Sequence, residues 1–569
     1  MIDPPPSTMT AGQALLNALV DEGVDVAFGY PGGAIMPLYD AFFSERRITH
    51  VLVRHEQAAA FAASAYARTT GKVGVAIATS GPGATNLITG ILDAQMDSVP
   101  FVAITGQVRS DLIGTDAFQE ADVTSLAQPI TKRAILVRRV EDVVPSIHEA
   151  FRLARTGRPG PVLVDVPSDI LKTHLPIPTE PREPVRAAAA ARRPDARAIA
   201  QAIEILTNAK APLVIAGGGV RLAGAVDEFR RVVALLGAPH AATINALGCA
   251  ATNDPSFLGM LGMHGWKRAN KAVNEADVIL ALGMRFDDRV TGRVDRFAAD
   301  AKIIHVDVDI AEIGKIIPVT LGIHADVRET LLALEAELLR LGRRDHGAWC
   351  ARVESFSSPL PTDRSIGNLG ATEVIEAFMR RIPANTVVAT DVGQHQMWTA
   401  QRVRPTDPHS FLTSAGLGAM GFGLPAAIGA KFGHPDRPVV VVVGDGGFQM
   451  TQSELATIGR YNLDIKILLV DNRRLGMVRQ WQELFYERRY AATDLYDNPD
   501  FTMLARAYRI GASRVDRREA LDAAIEGLLA TPGPALLHCE CFPSENVWPM
   551  IPAGAAIDEA IEGIEGIPA

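Results

Sequence analysis

Asp445 and Asn472, 27 positions apart, are the residue types that hold a hard cation through oxygen. The run VVVVVGDGG reads as a buried strand that delivers Asp445 at its carboxyl end, flanked by Gly444, Gly446 and Gly447. A helical stretch follows, and IKILLVDN then reads as a second strand ending at Asp471-Asn472. One strand–helix–strand unit sets two such tips side by side. An acid and an amide at one rim, with glycines letting backbone come close, can bind Mg²⁺ that also bridges a ligand's phosphates. Each residue alone has a plainer use: Asp445 as a helix cap, Asn472 as a turn former. Glu56, in VLVRHEQA, falls where a strand runs into a helix, where a carboxylate interacts favourably with the helix dipole. His55-Glu56 does not extend to HExxH, because position 59 is Ala, so a zinc reading fails. Gly416-Leu-Gly418-Ala-Met420-Gly421 matches GxGxxG, but the preceding HSFLTSAG is polar and mixed, so a nicotinamide site has little support.

The elements that must carry these residues are legible as alternating apolar runs and Ala/Leu-rich stretches. Strands are predicted over 73–79 and 100–106, then 212–219, 278–283 and 302–309, then 386–391, 438–446 and 465–472; a helix is predicted over 57–68. Continuous apolar strands separated by helices mean parallel sheets covered on both faces. Two Pro-, Arg- or Ser-rich stretches, 176–194 and about 342–367, read as surface linkers. The predicted fold is therefore α/β, three doubly wound parallel-sheet domains in series over 8–175, 196–342 and 368–545, followed by a C-terminal tail over 546–569. Several strands end in Gly or Asp, and open α/β sheets bind ligands at that end.

Composition bounds the function classes. The chain has 569 residues, 48% hydrophobic and 21% charged, with a net charge of −9, which excludes a largely disordered chain and argues against a nucleic-acid binder. No apolar run reaches the roughly 18–20 residues of a membrane helix. The opening MIDPPPSTMTAG lacks the layout of a signal peptide, and four cysteines without CxxC spacing fit a reducing cytoplasm.

GDG followed one βαβ unit later by an Asn-containing turn resembles the signature of thiamine-diphosphate enzymes. The resemblance implies that Asp445, Asn472 and the backbone carbonyl of Arg474 bind the metal, with Asp471 where the family usually has a first asparagine. It implies that Val392, Gly393, Gln394 and His395 form a diphosphate-contacting turn, joined by Gly446 and Gly447. It also implies that Gly418 and Met420 supply an apolar wedge for a folded cofactor, with Met477 nearby. His395 is equally readable as a core histidine. Glu56 would then face the aminopyrimidine, where a carboxyl in a dry site exchanges a proton with a ring nitrogen. Gly81, in SGPGATN, would lie at the same end. Glu56 and the diphosphate site belong to different domains, so the resemblance implies that two subunits complete each site, in a homodimer or homotetramer.

LGMHG at 261–265, RFDDRVTG at 285–292, GTDAFQE at 114–120 and GMVRQW at 476–481 resemble the acetohydroxyacid (acetolactate) synthase large-subunit family over nearly the whole chain. That implies decarboxylation of pyruvate and transfer of the hydroxyethyl carbanion to a second pyruvate or to 2-ketobutyrate, early in branched-chain amino-acid synthesis. Trp481 would favour the larger acceptor, Arg289 would take its carboxylate with a two-pronged donor, and Phe118, Gln119 and Met263 would line the pocket. The middle domain resembles an FAD-bearing one, with Arg158, Gly217, Gly218, Gly219, Thr243, Ile244, Met263, Arg285, Asp307 and Asp326 around the flavin, although GGG also reads as a plain strand-to-helix turn. Ser168 stands where the family commonly carries Lys, and Arg109 where many relatives carry Pro. A separate regulatory small subunit is implied as well. The alternatives are a thiamine-dependent pyruvate oxidase, another 2-keto acid carboligase, a nicotinamide dehydrogenase built on GLGAMG, and a silent binding module.

Overall fold

Valine- and isoleucine-rich runs bury both faces of their strands, and the computed structural model stacks them into three parallel sheets, six-stranded among the described residues. It describes residues 8–177, 191–251, 253–360, 362 and 369–563. The first sheet has the spatial order Thr49–Leu52, Val26–Gly29, Gly74–Ala78, Phe101–Gln107, Pro161–Pro167, Arg133–Leu136. In chain order this is 2-1-3-4-6-5. The third sheet repeats that order with Phe411–Leu412, Val387–Thr390, Val439–Gly444, Ile465–Asp471, Ala535–Glu540 and Gly511–Val515. The middle sheet differs: Phe257–Met260, His240–Ala242, Pro212–Ala216, Val278–Leu282, Lys302–Asp307, Leu321–His324, or 3-2-1-4-5-6. In each sheet the strand order reverses beside the first strand, and a crevice for ligands opens there.

The first and third units share one hydrophobic core. Helix Glu56–Thr70 is alanine-rich and lies against helix Gly423–Gly433 so closely that a Cβ on Gly429 would stand 2.0 Å from the Ala62 carbonyl oxygen. The Arg54 N–H donates to Glu454 Oε1 (2.8 Å), and buried Arg68 pairs with Asp93 (3.2 Å) and Asp97 (2.9 Å). Asp97 in turn accepts from the Ala415 and Gly416 N–H groups, so the first unit grips the GLGAMG loop of the third.

Two sequence expectations need correction. The stretch 342–367 is not all linker: Gly347–Glu354 is a helix that buries Trp349 and Val353, and the Trp349 indole donates to the Pro212 carbonyl. Only the i, i+4 pair Trp349/Val353 signals it, amid polar neighbours. Residues 361 and 363–367 of that stretch, and 178–190 of the other linker, lie outside the described residues. The tail, described to residue 563, folds back on the middle unit, where the Ile551 N–H donates to the Met263 carbonyl and the Ala555 carbonyl accepts from Arg293.

Buried Asp165 organises the loop that follows strand Phe101–Gln107. Thr105 Oγ1 (2.6 Å) and Gln107 Nε2 (2.9 Å) donate to it, and the same amide nitrogen donates to the Ala121 carbonyl. Burial pushes the Asp165 carboxyl up to about 7. A folded pKa above the unfolded one means the native state holds the proton more tightly. The stabilisation is full below the ordinary 3.8 and is lost as pH rises through 7. Asp165→Asn is expected to remove that part of the fall in melting temperature between pH 4 and pH 7. An identical pH slope in variant and parent would contradict it.

Candidate active site

Strands Val439–Gly444 and Ile465–Asp471 pair in register, Gly444 opposite Val470, which brings Asp445 and Asn472 to one rim. Both side chains are buried. Asn498 Nδ2 donates to Asp445 Oδ2 (2.9 Å) and to Asp471 Oδ1 (3.0 Å), stitching two acids together. Burial, and then the neighbouring Asp471 carboxylate, push Asp445 up. Burial opposes ionisation of Asp471 too, but His538 (2.8 Å) and the Arg473 N–H hold its carboxyl low. Two crowded carboxyls with only an amide between them suit a divalent cation, which supplies the missing positive charge. Asn472 Oδ1 accepts from the Arg474 N–H (3.1 Å), and the Arg474 side chain pairs with Asp494. On the far side of Asp471 stand His538 and Glu540, a second metal-compatible group, but Glu540 is already paired with Arg473 and Arg514.

A cavity of about 60 Å³ opens at this rim. It is lined by Val392, Gly393, Gln394, His395, Met420, Asp445, Gly446, Gly447, Asn472, Arg474 and Met477, so the residues expected around a diphosphate converge. His395 is neutral, pushed down to about 3 by burial, and its Nε2 is buried without a partner. That partnerless ring nitrogen leaves a place for a polar atom of a ligand. Gly393 takes φ +146°, a conformation reserved for glycine.

Asp391 organises this rim, and the sequence reading gave it no role. Fully buried at the end of strand Val387–Thr390, it accepts from the Val392 (2.8 Å), Gly421 (3.0 Å) and Gly423 (2.8 Å) N–H groups. It thereby ties the diphosphate turn to the GLGAMG loop. A Cβ on Gly447 would lie 2.1 Å from its Oδ1, which is why that position must be glycine. Gln394 has a similar linking role, donating to Gln480 and to the Glu545 carbonyl.

The second cavity, about 930 Å³, runs along the middle sheet's crevice. Among its lining residues are Arg158, Gly218, Gly219, Thr243, Ile244, Met263, Arg285, Asp307, Asp326, Arg289 and Trp481, all singled out by sequence. Val392 and Met477 line both cavities, so the two are neighbours. Arg158 donates to Ser98 and Glu312 (both 2.8 Å), so a first-unit arginine is fixed against the middle unit. Asp307 is pushed up to about 6 by burial. Gly217 is the exception: it lies outside the lining, and a Cβ there would stand 2.2 Å from the Gly283 carbonyl oxygen. Its glycine serves strand-to-helix packing. At the cavity's other end the Arg289 guanidinium lies 5.7 Å over the Trp481 ring, and its Nη1 is 3.6 Å from Met263 Sδ.

Glu56, Gly81, Phe118 and Gln119 line neither cavity. They gather instead at the crevice of the first sheet. Glu56 opens its helix behind the His55 cap, and Asn86 Nδ2 donates to Glu56 Oε2 (2.9 Å). Its other oxygen, Oε1, faces Gly83, where a Cβ would approach to 3.3 Å. Gly81, at φ +58°, leaves room for Gln119, whose carbonyl oxygen a Cβ would meet at 2.8 Å. Phe118 is 88% exposed and within one chain forms no wall with Met263. Within one chain the residues expected at the site thus fall into two separate groups. Sequence reading also missed Asn86 as the partner of Glu56, although it lies in the quoted SGPGATN turn.

Family models for thiamine pyrophosphate enzymes match three consecutive stretches: the N-terminal TPP binding domain over 9–126, the central domain over 199–334 and the C-terminal TPP binding domain over 391–539. The chain is 47% identical to the acetolactate synthase isozyme 2 large subunit of Escherichia coli (strain K12) over 556 residues, 97% of this chain and 100% of that protein. It is 44% identical to the acetolactate synthase large subunit of Corynebacterium glutamicum, covering 97% of this chain and 90% of the relative. A probable acetolactate synthase large subunit of Methanocaldococcus jannaschii is 41% identical, with coverage of 98% and 96%. With its three matched domains and near full-length identity, the chain belongs to the thiamine pyrophosphate enzyme family and, within it, to the acetolactate synthase large subunits.

Proposed function

We propose that the chain converts two molecules of pyruvate to 2-acetolactate and carbon dioxide, and pyruvate with 2-ketobutyrate to 2-aceto-2-hydroxybutyrate, in branched-chain amino-acid synthesis. One observation carries this reading: the small cavity beside Asp445, Asn472 and His395 shares Val392 and Met477 with the large one, which Arg289 and Trp481 also line. Mg²⁺ would be held by Asp445, Asn472 and the Arg474 carbonyl, with the diphosphate against Gly393, His395 and Gly446. When bound, thiamine diphosphate supplies a ring carbon that adds to the keto group of pyruvate and lets carbon dioxide leave. The protein's part is binding, positioning and proton handling.

Glu56 Oε1, the oxygen Asn86 leaves free, is the atom for proton exchange with the cofactor ring. Because Glu56 reaches neither cavity of its own chain, the reading requires a second copy and makes the working unit a homodimer or a dimer of dimers. Arg289 offers a guanidinium fork to the acceptor carboxylate, half-exposed and with only a 3.9 Å contact to Asp288. FAD would occupy the large cavity, supported by the 3-2-1-4-5-6 order of the middle sheet, a strand order shared with dinucleotide-binding folds. The relatives' designation as large subunits supports a separate regulatory small subunit. No described helix is long and apolar enough to cross a membrane and all four cysteines are free, which supports a cytoplasmic location.

The test is a product assay with pyruvate alone and with added 2-ketobutyrate, with and without Mg²⁺, thiamine diphosphate and FAD. Acetolactate should form only with the thiamine cofactor and metal; peroxide or acetaldehyde as the main product would favour an oxidase or a simple decarboxylase. Trp481 sets the acceptor preference in this reading, because contact with one extra methylene gives about 1–3 kcal/mol. Trp481→Ala is expected to lower the 2-ketobutyrate over pyruvate preference by about tenfold or more while total turnover survives. An unchanged product ratio at equal acceptor concentrations would remove Trp481 from the acceptor site.

A further inference from the structure

Among the described residues, the large cavity holds one buried cation without an ion-pair partner. Arg221 lies on helix Gly218–Leu222, which starts where strand Pro212–Ala216 ends, at the crossover beside Val278–Leu282. Its side chain lines the cavity, yet the residue is only 6% exposed. Other cavity arginines are matched: Arg155 to Glu22 (2.8 Å), Arg158 to Glu312 (2.8 Å) and Arg285 to Asp287 (3.9 Å). Among the described residues the Arg221 side chain makes no hydrogen bond or ion pair, and its Nε is fully buried without a partner. Asp97 and Asp407 attract it from beyond ion-pair distance, while Arg68 repels it. Burial and Arg68 push it down to about 10, so it remains a cation at neutral pH. A buried, unpaired guanidinium is costly to the free protein and is retained where an anion completes it.

We propose that Arg221 is the anion-recognising residue of the large cavity and pairs with the diphosphate of the dinucleotide bound there. The ligand class follows from its place. Among the lining residues Asp307 is suited to sugar hydroxyls, Met263 and Trp481 are an apolar pair suited to a flat ring, and Arg221 follows the first strand of the sheet, at its switch point, beside Gly218. A guanidinium presents its donors as a rigid fork that matches phosphate oxygens. This rests on the flavin reading above.

The test uses the full-length chain stripped of flavin and titrated with FAD and with riboflavin, following flavin fluorescence. Arg221→Met is expected to weaken FAD about tenfold or more and to leave riboflavin, which lacks phosphate, unchanged; Arg221→Lys should recover part of the loss. The flavin-free Arg221→Met protein should melt no lower than the parent, because an unpaired buried charge has been replaced by an apolar side chain of similar length. FAD affinity within twofold of the parent, or equal losses for FAD and riboflavin, would overturn the proposal. If the parent itself binds no FAD while melting cooperatively, the flavin reading fails and the proposal with it, an outcome distinct from a parent that binds FAD and a variant that binds it equally well.

Discussion

Glu56→Gln is expected to reduce turnover by about 10²–10⁴-fold, the usual contribution of a positioned proton-transfer group. Glutamine keeps the shape and still accepts from Asn86, so the helix start, the His55 cap and the melting temperature should be unchanged. What is lost is a group that can give and take a proton. Cofactor binding should survive, because the residues proposed to hold the metal and the diphosphate belong to the third unit. Near-normal turnover in a folded, cofactor-loaded variant would end the proton-exchange role. The same variant tests where the site is assembled. Coexpressed with an Asp445→Ala chain, it should give about a quarter of parental activity, since half of randomly formed dimers carry one intact composite site of two. If the mixture stays as inactive as its components, Glu56 and Asp445 do not act across chains.

The second large effect is expected at Asp445. Asp445→Ala should weaken thiamine diphosphate binding in the presence of Mg²⁺ by about two orders of magnitude or more, because the proposed metal ligand is lost together with its negative charge. At saturation of about 100 times the dissociation constant, a ligand stabilises its protein by about 2.7 kcal/mol, so the cofactor-induced rise in melting temperature should disappear at the same concentrations. The free variant should be at least as stable as the parent. In the absence of a cation Asp445 is crowded by burial and by Asp471, and removing it relieves both. Cofactor-dependent stabilisation equal to the parent's would show that the metal is held elsewhere, with the Asp471, His538 and Glu540 group the place to look.

Much of this architecture was legible from the chain. A parallel strand covered on both faces reads as an unbroken apolar run, so Val439–Gly444 and Ile465–Asp471 were visible, and a βαβ connection leaves their tips no choice but to meet. Asn498 was not legible. It lies 26 positions beyond Asn472 in a polar stretch without periodicity, and it matters only because its amide reaches two acids brought together by the sheet. Asp391 was visible as an acid at a strand end, but two of its donors, Gly421 and Gly423, come from a loop 30 residues later. Gly217 and Gly218 look alike in sequence; only the position of Gly283 makes the first a packing residue and leaves the second facing the cavity.

Sequence by itself determined the three sheets, the residue types at each strand tip and the chemistry those types permit, because periodicity and covalent neighbourhood act over a few residues. Tertiary structure decided which tips share a cavity, that Arg289 lies over Trp481, that Arg221 has no counter-charge, and that Glu56 sits on a different crevice from Asp445. Those are relations between side chains up to several hundred residues apart. They are set by how the helices and sheets close around their cores, and nothing local in the chain encodes them.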